Sequence, residues 1–269
     1  MPNLYSRLRC IVTLAICMTF AAGHAGAADT NPEGRQYPPS SNPLADVQGA
    51  FDRAEDGDRL LLVVLGANWC HDSRALASRL GRSPLAEMIQ QHYELVFVSV
   101  GFLDKGRDVV QRLDVAHYYA TPTVLIIDPA SGRLINDEDR HQWSNAYNID
   151  MSTSVQYFEK CLEDDSVDDP VMVSAEIERL YAEIDEFEQQ LAERVANGYA
   201  VVGPMLEATD TGNKPEAFDA SWDELRKFRG AIPGDIRTLR DDARRRVAAG
   251  EEDIPIQFPE YPLLSWESR

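Results

Sequence analysis

The residues Trp69-Cys70-His71-Asp72-Ser73 have types and spacing that could carry chemistry. They follow an apolar run, Leu60 to Leu65, and open a segment of helical character, Cys70 to Leu80. This order sets one thiol at the first turn of a helix, where unpaired N–H groups and the helix dipole favour an anion. A thiolate, not a thiol, attacks a disulfide sulfur. His71, when protonated, adds positive charge nearby, Asp72 opposes it, and Arg74 partly offsets Asp72. Ser73, three positions after the cysteine, offers a hydroxyl that can donate to the sulfur. The expectation is an exposed, mildly activated thiol with no second sulfur in its own turn. A mixed disulfide at Cys70 then persists until an outside thiol attacks it. That chemistry suits exchange with small thiols, isomerisation or the holding of a client. It suits net two-electron reduction poorly.

The elements that must position this turn can be read from the pattern. Leu44 to Glu55 has Val47, Ala50, Phe51 and Ala54 at helical spacing, and Asp56-Gly57-Asp58 ends it. Arg59 to Leu65 is a continuous apolar strand of the kind buried on both faces. Ser83-Pro84 reads as a cap and first helical residue of a further helix. Tyr93 to Val100 is strand-like, and Asp108 to Leu113 is a short helix at most. Thr123 to Ile127 is apolar and β-branched. Asp128-Pro129-Ala130-Ser131-Gly132 is a turn, after which Arg133 to Ile135 can return as an antiparallel strand. Residues 150–163 complete the set as a helix. The order α, β, α, β, α, β, β, α predicts an α/β fold with a mixed sheet flanked by helices. Beyond Asp169-Pro170 the pattern changes. Ile177, Leu180, Ile184, Phe187 and Leu191 recur at helical spacing. Trp222, Leu225 and Phe228 suggest a second helix, and Ile236, Leu239 and Val247 a third.

Motif and alternation together resemble the thioredoxin superfamily. Gly66 to Arg74 stands where that family has a Trp-Cys-x-x-Cys turn after a central strand. Ala120-Thr121-Pro122-Thr123, about fifty residues on, matches its cis-proline loop. The resemblance covers roughly residues 44–164. It implies that Pro122 is cis, that Thr121 presents backbone groups to a client peptide beside Cys70, and that Trp69 forms an apolar wall near the sulfur. This chain departs from the pattern in three places. Ser73 replaces the resolving cysteine. Val64 stands where dithiol members commonly have a buried acid. Val96 to Val100 lacks the lysine often found near it. Cys161 is expected to be a buried spectator on the far side of the sheet.

The remaining composition bounds the setting. Arg7 and Arg9, the apolar run Ile11 to Ala22 and the small residues Ala25-Gly26-Ala27 predict a signal peptide over 1–27, too short in its apolar part for a membrane span. The predicted organisation continues with a flexible leader over 28–42 and a thioredoxin-like domain over 43–166. A C-terminal α-helical extension over 167–250 and an irregular Pro-rich tail over 251–269 follow. Cleavage would place the protein in the periplasm or outside the cell, in oxidising surroundings. It would also remove Cys10 and Cys17, leaving Cys70 and Cys161. The 269 residues carry 26 basic and 45 acidic side chains, a formal charge of −19. Loss of residues 1–27 removes two arginines and no acid, leaving 24 basic against 45 acidic residues, or −21. Such a surface repels nucleic acid and anionic lipid, and no stable membrane insertion is expected after cleavage. No metal or cofactor motif is read: His71, His92, His117 and His141 are scattered, with no pair at ligand spacing. The expected partners are client proteins or small thiols, and the sequence does not set the oligomeric state. Two readings stay open: exchange through Cys70 alone, and a binding or assembly module that has lost redox work.

Overall fold

The computed structural model describes residues 36–163 and 174–267. The expected signal peptide over 1–27 and the expected boundary at 166/167 lie outside the described residues. The first helix, α1 (Pro43–Asp56), starts as its sequence dictates. Asn42 Oδ1 accepts from the Ala45 N–H at 3.2 Å, Pro43 occupies the first turn, and Gly57 ends the helix. Strand β1 (Leu60–Gly66) is buried from Leu61 onward. Then come α2 (His71–Leu80), α3 (Leu85–His92), β2 (Tyr93–Ser99), α4 (Arg107–Arg112) and β3 (Thr123–Ile127). A 3-10 segment, Gln142–Asn148, kinks at Asn145 and leads to α5 (Met151–Leu162).

The sheet has the order β2-β1-β3, with β1 parallel to β2 and antiparallel to β3. The two-residue period of β1 divides the core. Leu61, Val63 and Leu65 join Ala50 and Ala54 of α1 and Val109 and Val110 of α4 on one face. Leu62 and Val64 join Leu76 of α2, Ile89 of α3 and Phe158 of α5 on the other. The order of helices and strands and the mixed sheet make this a thioredoxin-like α/β fold.

Four expectations change. Arg133 to Ile135 does not form a strand; it makes a single bridge, Ile127 to Leu134. The edge of β3 is closed instead by the Ile135 N–H, which donates to the Ile126 carbonyl at 2.8 Å, and by the buried Asn136 amide. Asn136 Oδ1 accepts from the Ile126 N–H and its Nδ2 donates to the Val124 carbonyl, at 2.8 and 2.9 Å, as a neighbouring peptide would. Second, α3 begins at Leu85, with Pro84 as its cap and a cis Ser83–Pro84 bond. Third, the end of the expected flexible leader is fixed: Tyr37 is fully buried.

The fourth change concerns the extension. Its three expected helices are two, α6 (Ala175–Asp210) and α7 (Phe218–Ala248), packed on each other. Ile232 and Ile236 are buried on either side of Pro233, so packing carries α7 through a residue that opposes helix interiors by about 3 kcal/mol. Leu191, Val195 and Val202 of α6 and Leu225 and Ile236 of α7 enter the same core as Val63 and Leu65 of β1. At Gly203 a Cβ would stand 2.3 Å from the Phe102 carbonyl oxygen, so the helix meets the loop after β2 at a distance only glycine allows. None of the helices among the described residues is long and apolar enough to cross a membrane.

Candidate active site

Strand β1 ends at Gly66, and the chain turns through Ala67-Asn68-Trp69 to Cys70, whose N–H donates to the Ala67 carbonyl at 3.2 Å. Cys70 is the N-cap of α2, with extended backbone (φ −82°, ψ 123°), and its side chain makes no capping bond to the helix N–H groups. The sulfur instead turns toward Thr121: its S–H donates to the Thr121 carbonyl oxygen at 3.2 Å. The Thr121–Pro122 bond is cis, as the resemblance implies, and Thr121 is buried. The pair brought together here is separated by 51 positions in sequence.

Two expectations about the sulfur are corrected. Cys70 is not exposed; 8% of its surface is accessible, with its sulfur against the Thr121 carbonyl. The Ser73 hydroxyl does not bond to it either. Ser73 is fully buried, its Oγ lies beneath Gly66, and it has no hydrogen-bond partner there.

Tyr37 takes up the space behind this turn. Its hydroxyl donates to the Ser73 carbonyl at 3.1 Å. Its backbone is clamped by the Asn68 side chain, which accepts from the Tyr37 N–H at 3.2 Å and donates to the Tyr37 carbonyl at 2.8 Å. The ring packs edge-on against Phe97 of β2. A Cβ on Gly66 would come within 2.6 Å of that ring, so the bare backbone of Gly66 is what admits it. Burial, with Cys70 nearby, raises the Tyr37 phenol well above its ordinary range, so it is a neutral donor. Tyr37 is the site residue that sequence reasoning missed. Its only signal was a lone aromatic in a stretch of Pro, Ser and Asn.

The two flanks of the sulfur are built differently. On one, Trp69 Nε1 donates to the Gly101 carbonyl at 2.7 Å, and its ring meets Trp222 of α7 edge-on at 6.1 Å. Trp222 stacks on Phe218 and lies under the Arg229 guanidinium, 5.2 Å from the ring centre. Arg229 also donates to the Tyr199 hydroxyl at 3.0 Å, which donates to the Tyr118 carbonyl at 2.9 Å. The expected apolar wall at Trp69 is therefore continued by the helical extension. On the other flank, His71 is exposed and pairs with Asp72 at 3.0 Å. Asp72 is buried, and its Oδ1 accepts from the Tyr147 N–H at 2.8 Å. Tyr147, 65% exposed, rests edge-on against His71. Asp72 thus holds the 3-10 segment to the motif, and Arg74 donates to the Asn68 carbonyl at 2.5 Å.

His117 sits behind the Thr121 loop, enclosed by Tyr118, Tyr119 and Tyr199. Burial lowers it to about 4, against the pull of the Tyr118 carbonyl on its Nδ1, so it is neutral near pH 7. Cys161 lies in α5 within the opposite core cluster, beside Phe158, and forms no disulfide with Cys70.

Residues 42–129 match a family model described as thioredoxin-like. A solved structure, the disulphide isomerase from Xylella fastidiosa Temecula1, is similar at 24% identity with a TM-score of 0.44. That similarity covers 47% of this chain and 95% of the isomerase chain. No curated protein matches the sequence.

Proposed function

We propose that this protein carries out thiol–disulfide exchange through Cys70 as the one sulfur of its active-site turn, on protein clients or small thiols. The observation that carries the reading is the Cys70 S–H donating to the Thr121 carbonyl at 3.2 Å, beside Pro122. A client strand that pairs with the Thr121 backbone brings an N–H to that carbonyl and displaces the thiol from it. The thiol then gives its proton to solvent, and the thiolate attacks a client sulfur. One S–S bond forms between Cys70 and the client as the client's own S–S bond breaks. The departing client sulfur leaves as a thiolate and takes up a proton. Release requires a second thiolate from outside, which attacks the mixed disulfide and restores Cys70. Each step exchanges one disulfide for another, so no oxidant or reductant is consumed. Tyr37 holds the backbone of the turn at Ser73, Asp72 holds the Tyr147 segment, and Trp69 with Trp222 forms the apolar wall.

The reading includes export to an oxidising compartment after loss of residues 1–27, where disulfide-bonded clients persist. A second reading, binding without exchange, is favoured by the low exposure of Cys70 and by the absence of a Ser73 contact to the sulfur. The two are separated by presenting a disulfide-bonded peptide and quenching with acid. Exchange predicts a mixed disulfide at Cys70 that added glutathione releases and that is lost in Cys70→Ala. Peptide retained equally by Cys70→Ala would overturn exchange in favour of binding.

A further inference from the structure

A second cleft lies away from Cys70, where the loop before the 3-10 segment meets the extension. It holds about 210 Å³ between Asp137, Glu138, Arg140 and His141 of the loop, Glu188 of α6, and Arg237, Arg240 and Arg244 of α7. Most of its charge is paired and fixed. Arg140 pairs with Asp137 and lies 3.6 Å from Glu188. Arg240 pairs with Asp137 at 2.9 Å and with Asp185 at 2.8 Å, and Arg244 with Glu138 at 2.8 Å. Arg237 differs: it donates to the Glu138 carbonyl and pairs with no carboxylate among the described residues.

Polar nitrogens without partners belong to three residues that line the same cleft. Arg140 Nε, Arg240 Nε and both ring nitrogens of His141 are buried and have no hydrogen-bond partner. Leaving such groups unmade is costly, on the order of 1–3 kcal/mol each, so a fold keeps several together where something accepts from them. The surrounding ion pairs hold the guanidinium groups of Arg140 and Arg240 in place. We propose that this cleft binds a compact oxyanion, of the phosphate or carboxylate class, which accepts from Arg140 Nε, Arg240 Nε and His141 and neutralises Arg237. The available volume is below that of a drug-sized pocket, which limits the ligand to a small metabolite-like anion. The site is connected to the Thr121 loop through Tyr119, whose hydroxyl donates to Glu188 at 3.1 Å and whose ring lies against His141. The inference does not depend on exchange at Cys70, and Cys70→Ala protein can be used alongside the wild type.

The test is a titration of the full chain with inorganic phosphate, and separately with succinate, in a background of constant ionic strength set with chloride. Nitrogen-15 spectra follow the Arg Nε–H and His ring signals. Saturable shifts at Arg140, Arg240 and His141, weakened roughly tenfold to a hundredfold by Arg237→Gln or His141→Phe, support the site. The probe that saturates assigns the class, phosphate or carboxylate. Arg237 is exposed, so its variant should fold normally, and the wild-type mapping stands on its own if His141→Phe does not fold. No saturable shift at these residues with either probe, or binding unchanged by Arg237→Gln, overturns the proposal.

Discussion

The Cys70 sulfur donates to the carbonyl oxygen of Thr121, 3.2 Å away and 51 positions further along the chain. The sulfur is thus buried and bonded to a backbone carbonyl beside the cis Thr121–Pro122 bond. This arrangement predicts that iodoacetamide modifies Cys70 more slowly in the folded protein than in urea at the same pH. Equal rates would mean that neither the burial nor the contact protects the sulfur.

Tyr37 and Asn68 tie the segment before α1 to the active-site turn. Tyr37→Ala removes a fully buried aromatic ring and should lose about 3–5 kcal/mol of stability. Tyr37→Phe keeps the ring but leaves the Ser73 carbonyl without its donor, and should cost about 1 kcal/mol. Urea unfolding of both variants checks the ratio. Similar losses in the two would place the importance in the hydroxyl rather than the ring.

Gly203 and Gly230 form an internal control on how the extension docks. A methyl group at 203 meets the Phe102 carbonyl oxygen, whereas one at 230 meets nothing within 4 Å. Gly203→Ala should destabilise by about 1–3 kcal/mol, since backbone must move. Gly230→Ala, in the middle of α7, should be neutral or gain up to about 1 kcal/mol from helix propensity. A stable Gly203→Ala protein would contradict the close approach of α6 to that loop.

Asp72 is a positioning residue for the Tyr147 segment. Asp72→Ala leaves the Tyr147 N–H without its acceptor and should cost about 1–3 kcal/mol, with Asp72→Asn milder because an amide oxygen can still accept. Faster hydrogen exchange at the Tyr147 amide in Asp72→Ala, with partial rescue by Asn, is the specific signature. An unchanged exchange rate at Tyr147 would remove this role.

His117 makes stability depend on pH. Its folded-state value of about 4 lies below the ordinary 6.5. As pH falls from 6.5 toward 4, the unfolded chain takes the proton first, so stability is lost over that window and is intact above it. The loss should be about 3 kcal/mol when complete. His141, held low by burial and by Arg140 and Arg237, acts in the same direction. Denaturant unfolding between pH 7 and about 4 should show the decline. His117→Phe should flatten part of it, and an unchanged slope in that variant would contradict the assignment.

Much of the fold was legible because it follows from periodicity. The continuous apolar run of β1, the Val47-Ala50-Phe51-Ala54 face of α1 and the stripe on α6 are such patterns, and the structure buries them, with Phe51 and Phe187 only half-buried. The juxtaposition of Cys70 with Thr121-Pro122 was legible only through the resemblance to the thioredoxin superfamily. What was not legible has no period. Tyr37 is a single aromatic whose partners lie about thirty positions away at Asn68 and Ser73. Asn136 imitates a strand with a side-chain amide, which no strand pattern can signal. The Ser73 expectation failed because spacing along a helix does not tell which way a small hydroxyl turns. Here Gly66 and Tyr37 enclose it. The continuity of α7 through Pro233 was set by packing against α6 rather than by local propensity.

Exchange through one sulfur is tested most directly by incubating the protein, without residues 1–27, with oxidised glutathione under native conditions and mapping adducts by mass spectrometry. The account predicts one glutathione adduct, on Cys70 and not on Cys161, which persists until a further thiol is added. The same experiment on Ser73→Cys should release the adduct without added thiol, by attack from the new cysteine. An unmodified Cys70 in the folded protein, with the adduct forming there only after unfolding, would contradict it.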